Sequence, residues 1–106
     1  MKSETIEQKI NRLFIEHDWI TIKSLGRLKG DSLMMEDLAQ WTKDSITVDF
    51  GYYGHPVIES MMEFGIYVVK DNDWTNYLCN LRINDANTAL SLLLCIPYIF
   101  DSNISK

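Results

Sequence analysis

Little in this chain is of the kind that staples or interrupts a fold: two cysteines, two prolines, five glycines and two histidines in 106 residues. The cysteines, Cys79 and Cys95, lie far apart in sequence within apolar surroundings, and no C-x-x-C is present. Two thiols without further soft ligands cannot close a zinc site, and nothing marks the chain for an oxidising compartment, so both are expected as buried thiols. The opening MKSETIEQK lacks the apolar stretch of a secretory signal. The longest apolar run, Ala89 to Phe100, is broken by Ser91 and Pro97 and is too short to cross a bilayer. Repeats, linkers and low-complexity tracts are absent. The expectation is a cytoplasmic protein without membrane attachment, folded as a single domain over 1–106 with a frayed tail at 101–106.

Chemistry-bearing patterns are equally scarce. A nucleophilic site needs a Ser, Thr or Cys beside a histidine that a carboxylate orients. His17 falls on the apolar side of a helical segment, where a packed ring is the ordinary outcome. His55 lies in an aromatic loop with Asp49 near in sequence, but no nucleophile on a strained turn accompanies it. Asp71-Asn72-Asp73 has the first letters of a calcium loop, yet the positions that require Gly and Glu hold Asn76 and Arg82. Gly51 and Gly54 are followed by no Lys or Ser/Thr and do not form a phosphate cradle. No catalytic residue, metal ligand or cofactor is assigned.

What is present begins with GIYVVKDNDWTNYLCNLRI, Gly65 to Ile83. Runs rich in β-branched and aromatic residues, Ile66–Lys70 and Trp74–Ile83, flank Asp71-Asn72-Asp73, which predicts a β-hairpin with a three-residue connection. Upstream, Ile6, Ile10, Leu13, Phe14 and His17 share one helical face, so Ser3 to about His17 reads as a helix, and Thr5-Ile6-Glu7-Gln8 offers a capping box. Trp19–Lys29 reads as a short strand followed by a loop, with a helix over Thr21–Leu28 as the alternative. Asp31-Ser32 caps a predicted helix at Leu33–Lys43, with Met34, Leu38 and Trp41 on one face. Ile46–Phe50 alternates as a strand, and Gly51–Pro56 is rich in turn formers. Val57–Phe64, between Pro56 and Gly65, reads as a two-turn helix, with a strand as the alternative. Asn84-Asp85 caps a last apolar helix, Ala86–Cys95, ended by Pro97. The sum is an α+β domain: an antiparallel sheet of three or four strands, with a central hairpin at about 66–83, packed by two or three helices.

Charge is unevenly placed. Residues 1–29 carry six basic and four acidic groups, whereas residues 30–106 carry four basic and eleven acidic, for a net charge of −5 overall. An acidic body repels phosphate backbones and attracts basic partners. Within it stands a mixed acidic–aromatic set, Asp49, Tyr52, Tyr53, Glu59, Glu63, Asp71, Asp73 and Trp74. Tyr and Trp anchor interfaces, and carboxylates around them steer a basic partner, so these eight are the expected partner-binding residues.

In its size, acidity, α+β pattern and the segments VDFGYYGHP (Val48 to Pro56) and VVKDNDWTNY (Val68 to Tyr77), the chain resembles the small acidic immunity proteins with which bacteria neutralise contact-dependent nuclease toxins. The resemblance implies a cognate basic toxin as partner, no nucleic-acid binding and no enzymatic activity. Two other readings stand beside it. Ser3–His17, Thr21–Leu28 and Leu33–Lys43 could form a helix-turn-helix, although Glu36, Asp37 and Asp44 against Lys43 would repel DNA. A small structural or adaptor homodimer, joined through an open sheet edge, is the third.

Overall fold

The computed structural model describes residues 4–26, 38–53 and 63–100. Helix α1 spans Ile6–Glu16, followed by strands β1 (Ile20–Lys23), β2 (Ala39–Lys43), β3 (Ile46–Tyr52), β4 (Phe64–Lys70) and β5 (Cys79–Ile83), and by helix α2 (Ala86–Ile99). The fold class is α+β, with five strands where three or four were expected, and two helices among the described residues. The strands form one antiparallel meander in the order β1-β2-β3-β4-β5.

Strand parity divides the sheet into two faces. The registers Trp41↔Val48↔Val68↔Cys79 and Ala39↔Phe50↔Ile66↔Leu81 put an apolar set on one side. There it meets Ile10 and Phe14 of α1 and Ala89, Leu90, Leu93 and Ile96 of α2 in a single core. The other side carries Thr47, Asp49 and Gly51 of β3, Gly65, Tyr67 and Val69 of β4, and Asn80 and Arg82 of β5.

Both ends of α1 follow from local sequence. Thr5 Oγ1 accepts the Gln8 N–H at 3.1 Å while Gln8 Oε1 accepts the Thr5 N–H at 2.9 Å, completing the expected capping box. At the far end Asp18 adopts φ 69°, its N–H reaches Ile15 O at 3.0 Å and the Trp19 N–H reaches Phe14 O at 2.9 Å. This is a Schellman stop with aspartate in the left-handed position that glycine usually takes. Its apolar contact is the edge-on meeting of Trp19 and Phe14, with ring centroids 5.3 Å apart. The turn delivers the chain into β1, the short strand expected there.

The predicted helix at Leu33–Lys43 is corrected over its described part: Ala39–Lys43 is strand β2, and residues 33–37 lie outside the described residues. Ala39 and Trp41 face the core while Gln40 and Thr42 face away, a period of two that the helical reading of Leu38 and Trp41 overlooked. Trp41 stacks on Phe14 with centroids 4.0 Å apart and planes 1° from parallel. Strands on both sides satisfy its backbone, and pairing of this kind overrides the modest helix propensity of five residues. A two-residue connection with Asp44 at φ 55° then turns β2 into β3.

The central hairpin exists, but its connection runs from Asp71 to Leu78 instead of three residues, and Trp74–Leu78 is not strand. Asp71 and Asn72 both have positive φ (55° and 57°), and the Asp73 N–H closes the turn on Lys70 O at 3.0 Å. The ladder does not resume there, because the Asp73 carboxylate accepts the Thr75 N–H at 3.1 Å and the Thr75 hydroxyl at 2.6 Å. Such a side-chain cap competes with strand pairing. Helix α2 is capped at Asp85, whose carboxylate takes the Thr88 N–H at 2.9 Å. It continues past Pro97 to Ile99, although the proline has no N–H to give the Leu93 carbonyl. Gly51 and Tyr52, expected in a turn, extend β3, and Phe64, the expected end of the helix Val57–Phe64, begins β4 instead; residues 54–62 and 101–106, with the rest of the expected turn, helix and tail, are outside the described residues.

Candidate partner-binding surface

The eight expected residues fall into separate environments. Tyr52 is corrected outright: parity turns it into the core, where its ring meets Phe64 at 5.3 Å. Asp49 is corrected too, being only 8 % exposed on the face of the sheet opposite α1 and α2, across from Tyr67 in register. Neither presents enough surface to anchor a docking partner. Glu59 lies outside the described residues.

Tyr53 and Glu63 sit together at one end of the sheet, joined by the Tyr53 N–H donating to Glu63 O at 2.8 Å. Arg82, absent from the expected set, organises this end. Its guanidinium lies 4.4 Å from the Tyr53 ring centroid and 5.2 Å from that of Tyr67. It also donates to Glu63 Oε2 at 3.1 Å and to the Tyr67 hydroxyl. Tyr53 meets Tyr67 edge-on at 5.8 Å, and Tyr67 meets Tyr77 at 5.0 Å. The Tyr53 ring covers Gly65 so closely that a Cβ there would lie 2.6 Å from Tyr53 Cε2. Glycine is required here for approach and not for backbone freedom. The chemistry of this end is spent internally, carboxylate on guanidinium and guanidinium on rings.

The opposite end differs. The seven residues of β4 separate the two by about 20 Å. Here the β2–β3 turn and the β4–β5 connection meet through the Asp71 N–H, which donates to Ser45 O at 2.7 Å. Asp44, Asp71, Asp73 and Trp74 are all exposed, Trp74 to 42 %. The connection is held in shape from within. Asp73 accepts from Thr75 and, at 3.4 Å, from Asn76 Nδ2, and these bonds keep its carboxyl below the ordinary aspartate value, the Thr75 hydroxyl contributing most. The Leu78 N–H returns the chain to β4 at Val68 O, 2.8 Å away. Tyr77 and Leu78 continue the exposed apolar surface from Trp74 toward β5. Asp44 follows directly on the predicted helix Leu33–Lys43, and only the β2–β3 turn brings it to this end; Tyr67 and Arg82 show themselves only once β4 and β5 are in register.

The His17 ring packs edge-on against Tyr98 with centroids 4.6 Å apart, and its carbonyl accepts from Lys43 Nζ at 2.8 Å. Among the described residues no group of three or more His, Cys, Asp or Glu is placed to hold a metal. Both cysteines are free thiols, but neither is buried as expected: Cys79 is half-buried and Cys95 exposed. No described helix is long and apolar enough to cross a membrane. Comparison with known proteins returns no match among family models, curated proteins or solved structures.

Proposed function

We propose that this chain is a non-enzymatic binding protein that occludes a basic surface on another protein, as an immunity protein occludes a nuclease toxin. The observation that carries the reading is the tip at Asp71–Trp74: an exposed tryptophan among outward carboxylates, on a turn already fixed by its own hydrogen bonds. A tryptophan supplies a large contact area, and a turn that is ordered before binding loses little entropy when a partner arrives. Asp44 and Asp71 beside it raise the encounter rate with a cationic surface, and any protein that grips phosphates must present such a surface. The helix-turn-helix reading loses support, because Ala39–Lys43, the second half of its recognition helix, pairs in the sheet instead.

The test is capture of the tagged chain's partners from lysate of its native host, washed at low and then high salt. One basic protein held in near-equal amount and released by salt is the expected result. Recovery of nucleic acid, or of no second protein, overturns the reading.

A further inference from the structure

The sheet has two edges of different construction. β1 is four residues long, its pairing with β2 is broken by a register shift between Thr21 and Lys23, and a lysine ends it. Shortness, a bulge and a lysine are the devices that keep an exposed edge from recruiting another strand. β5, one residue longer, has neither the bulge nor the lysine. It pairs with β4 without interruption from Phe64↔Ile83 to Val68↔Cys79 and holds no proline or lysine. No described strand covers its outer side, and Asn80, Leu81 and Arg82 are exposed.

Beside this edge the core is unfinished. A wholly apolar pocket of about 220 Å³ opens between β4–β5 and α2, with Cys79 and Leu81 on the sheet side. On the helix side Leu92, Cys95, Ile96 and Ile99 line it at spacings of three and four, one stripe of α2. Ile99 is 67 % exposed and Leu81 37 %. An open ladder and an open apolar stripe thus lie side by side.

We propose that a second copy of this chain pairs with β5, antiparallel and edge to edge, about a two-fold axis at Leu81. The result is a continuous ten-stranded sheet in which the two pockets close on each other. The occupant is a copy of the chain because the edge is its own complement. With the axis at Leu81, that residue meets Leu81 of the other copy, and Cys79 meets Ile83 on the helix side. Asn80 meets Arg82 on the opposite side, so no like charges stand across the seam. Charge argues the same way. Residues 74–84, WTNYLCNLRIN, contain no carboxylate and a single cation in a chain of net charge −5. Two copies therefore meet where mutual repulsion is least. The same axis sends the two Asp71–Trp74 tips to opposite ends of the seam, so pairing and partner binding use separate surfaces and can fail separately.

The test is the mass of the untagged chain in solution by light scattering, from about 1 µM to 1 mM. A mass twice the 12.3 kDa of one chain is expected at the upper end. Leu81→Lys, which sets two ammonium groups on the axis, should raise the dimer dissociation constant at least about 100-fold with unchanged circular dichroism. A measurement that needs no variant accompanies it: hydrogen exchange at the Cys79–Ile83 amides should slow as concentration rises through the dimer transition. A wild-type chain that stays monomeric at about 1 mM overturns the proposal. So does a dimer that Leu81→Lys leaves intact, or one whose Cys79–Ile83 amides exchange as fast as in the monomer.

Discussion

The two ends of the sheet hold similar residue types put to opposite uses. At one end Tyr53, Glu63, Tyr67 and Arg82 satisfy one another; at the other Asp44, Asp71 and Trp74 face solvent while Asp73 braces the turn. An acidic–aromatic cluster therefore does not by itself mark a binding surface. What separates the two ends is one cation. Arg82 consumes the carboxylate and the ring faces within its reach, and among the described residues no arginine or lysine forms an ion pair at Asp71–Trp74. Substitutions at the Arg82 end should therefore change stability, whereas those at the Asp71–Trp74 end should change binding.

The largest effect expected is on affinity. Trp74→Ala should weaken binding to a captured partner by about 30-fold or more while moving folding stability by no more than about 0.5 kcal/mol. Isothermal titration and chemical denaturation of the same samples check both halves. Gly65→Ala should do the reverse, since its Cβ would strike the Tyr53 ring. A cost of about 1–3 kcal/mol in denaturation is expected, with affinity unchanged. Arg82→Ala removes the cation from two rings and an exposed ion pair with Glu63. About 1 kcal/mol of stability is expected to go, again without loss of affinity. If Arg82→Ala instead abolishes binding, the two ends are not separate in function.

The smallest effect is on pH dependence. Hydrogen bonds from Thr75 and Asn76 hold the folded Asp73 pKa below its ordinary value. Its support of the turn is therefore complete above the unfolded pKa and is lost as pH falls through the lower folded value, a window below about pH 4. The protection of the Thr75 and Asn76 amides, taken relative to unstructured-peptide exchange at the same pH, should fall in that window in the wild type and should not change across it in Asp73→Asn.

Much of the fold was legible because its signals are local. The capping box at Thr5–Gln8, the cap at Asp85, the alternation in β3 and the β-branched run of β4 each fix an element from a few neighbouring residues. What was missed depends on contacts remote in sequence. Ala39–Lys43 is a strand because β1 and β3 flank it and Phe14 receives Trp41. The hairpin connection is long because Asp73 takes the Thr75 amide that a strand would need. The candidate site was half legible. Residue type found Asp71, Asp73 and Trp74, but parity decides that Tyr52 points into the core while Tyr53 points away from it. Arg82 was invisible as an organiser, since its partners come from β4 and from both of the residues that flank the β3–β4 connection.

The binding surface is tested most directly by parallel retention of lysate proteins on wild type, Trp74→Ala and Arg82→Ala, with the folding of all three verified by circular dichroism. One basic protein is expected on the wild type and on Arg82→Ala, and none on Trp74→Ala. Equal retention on all three, or loss only from Arg82→Ala, would contradict the assignment of the binding surface to the Asp71–Trp74 tip.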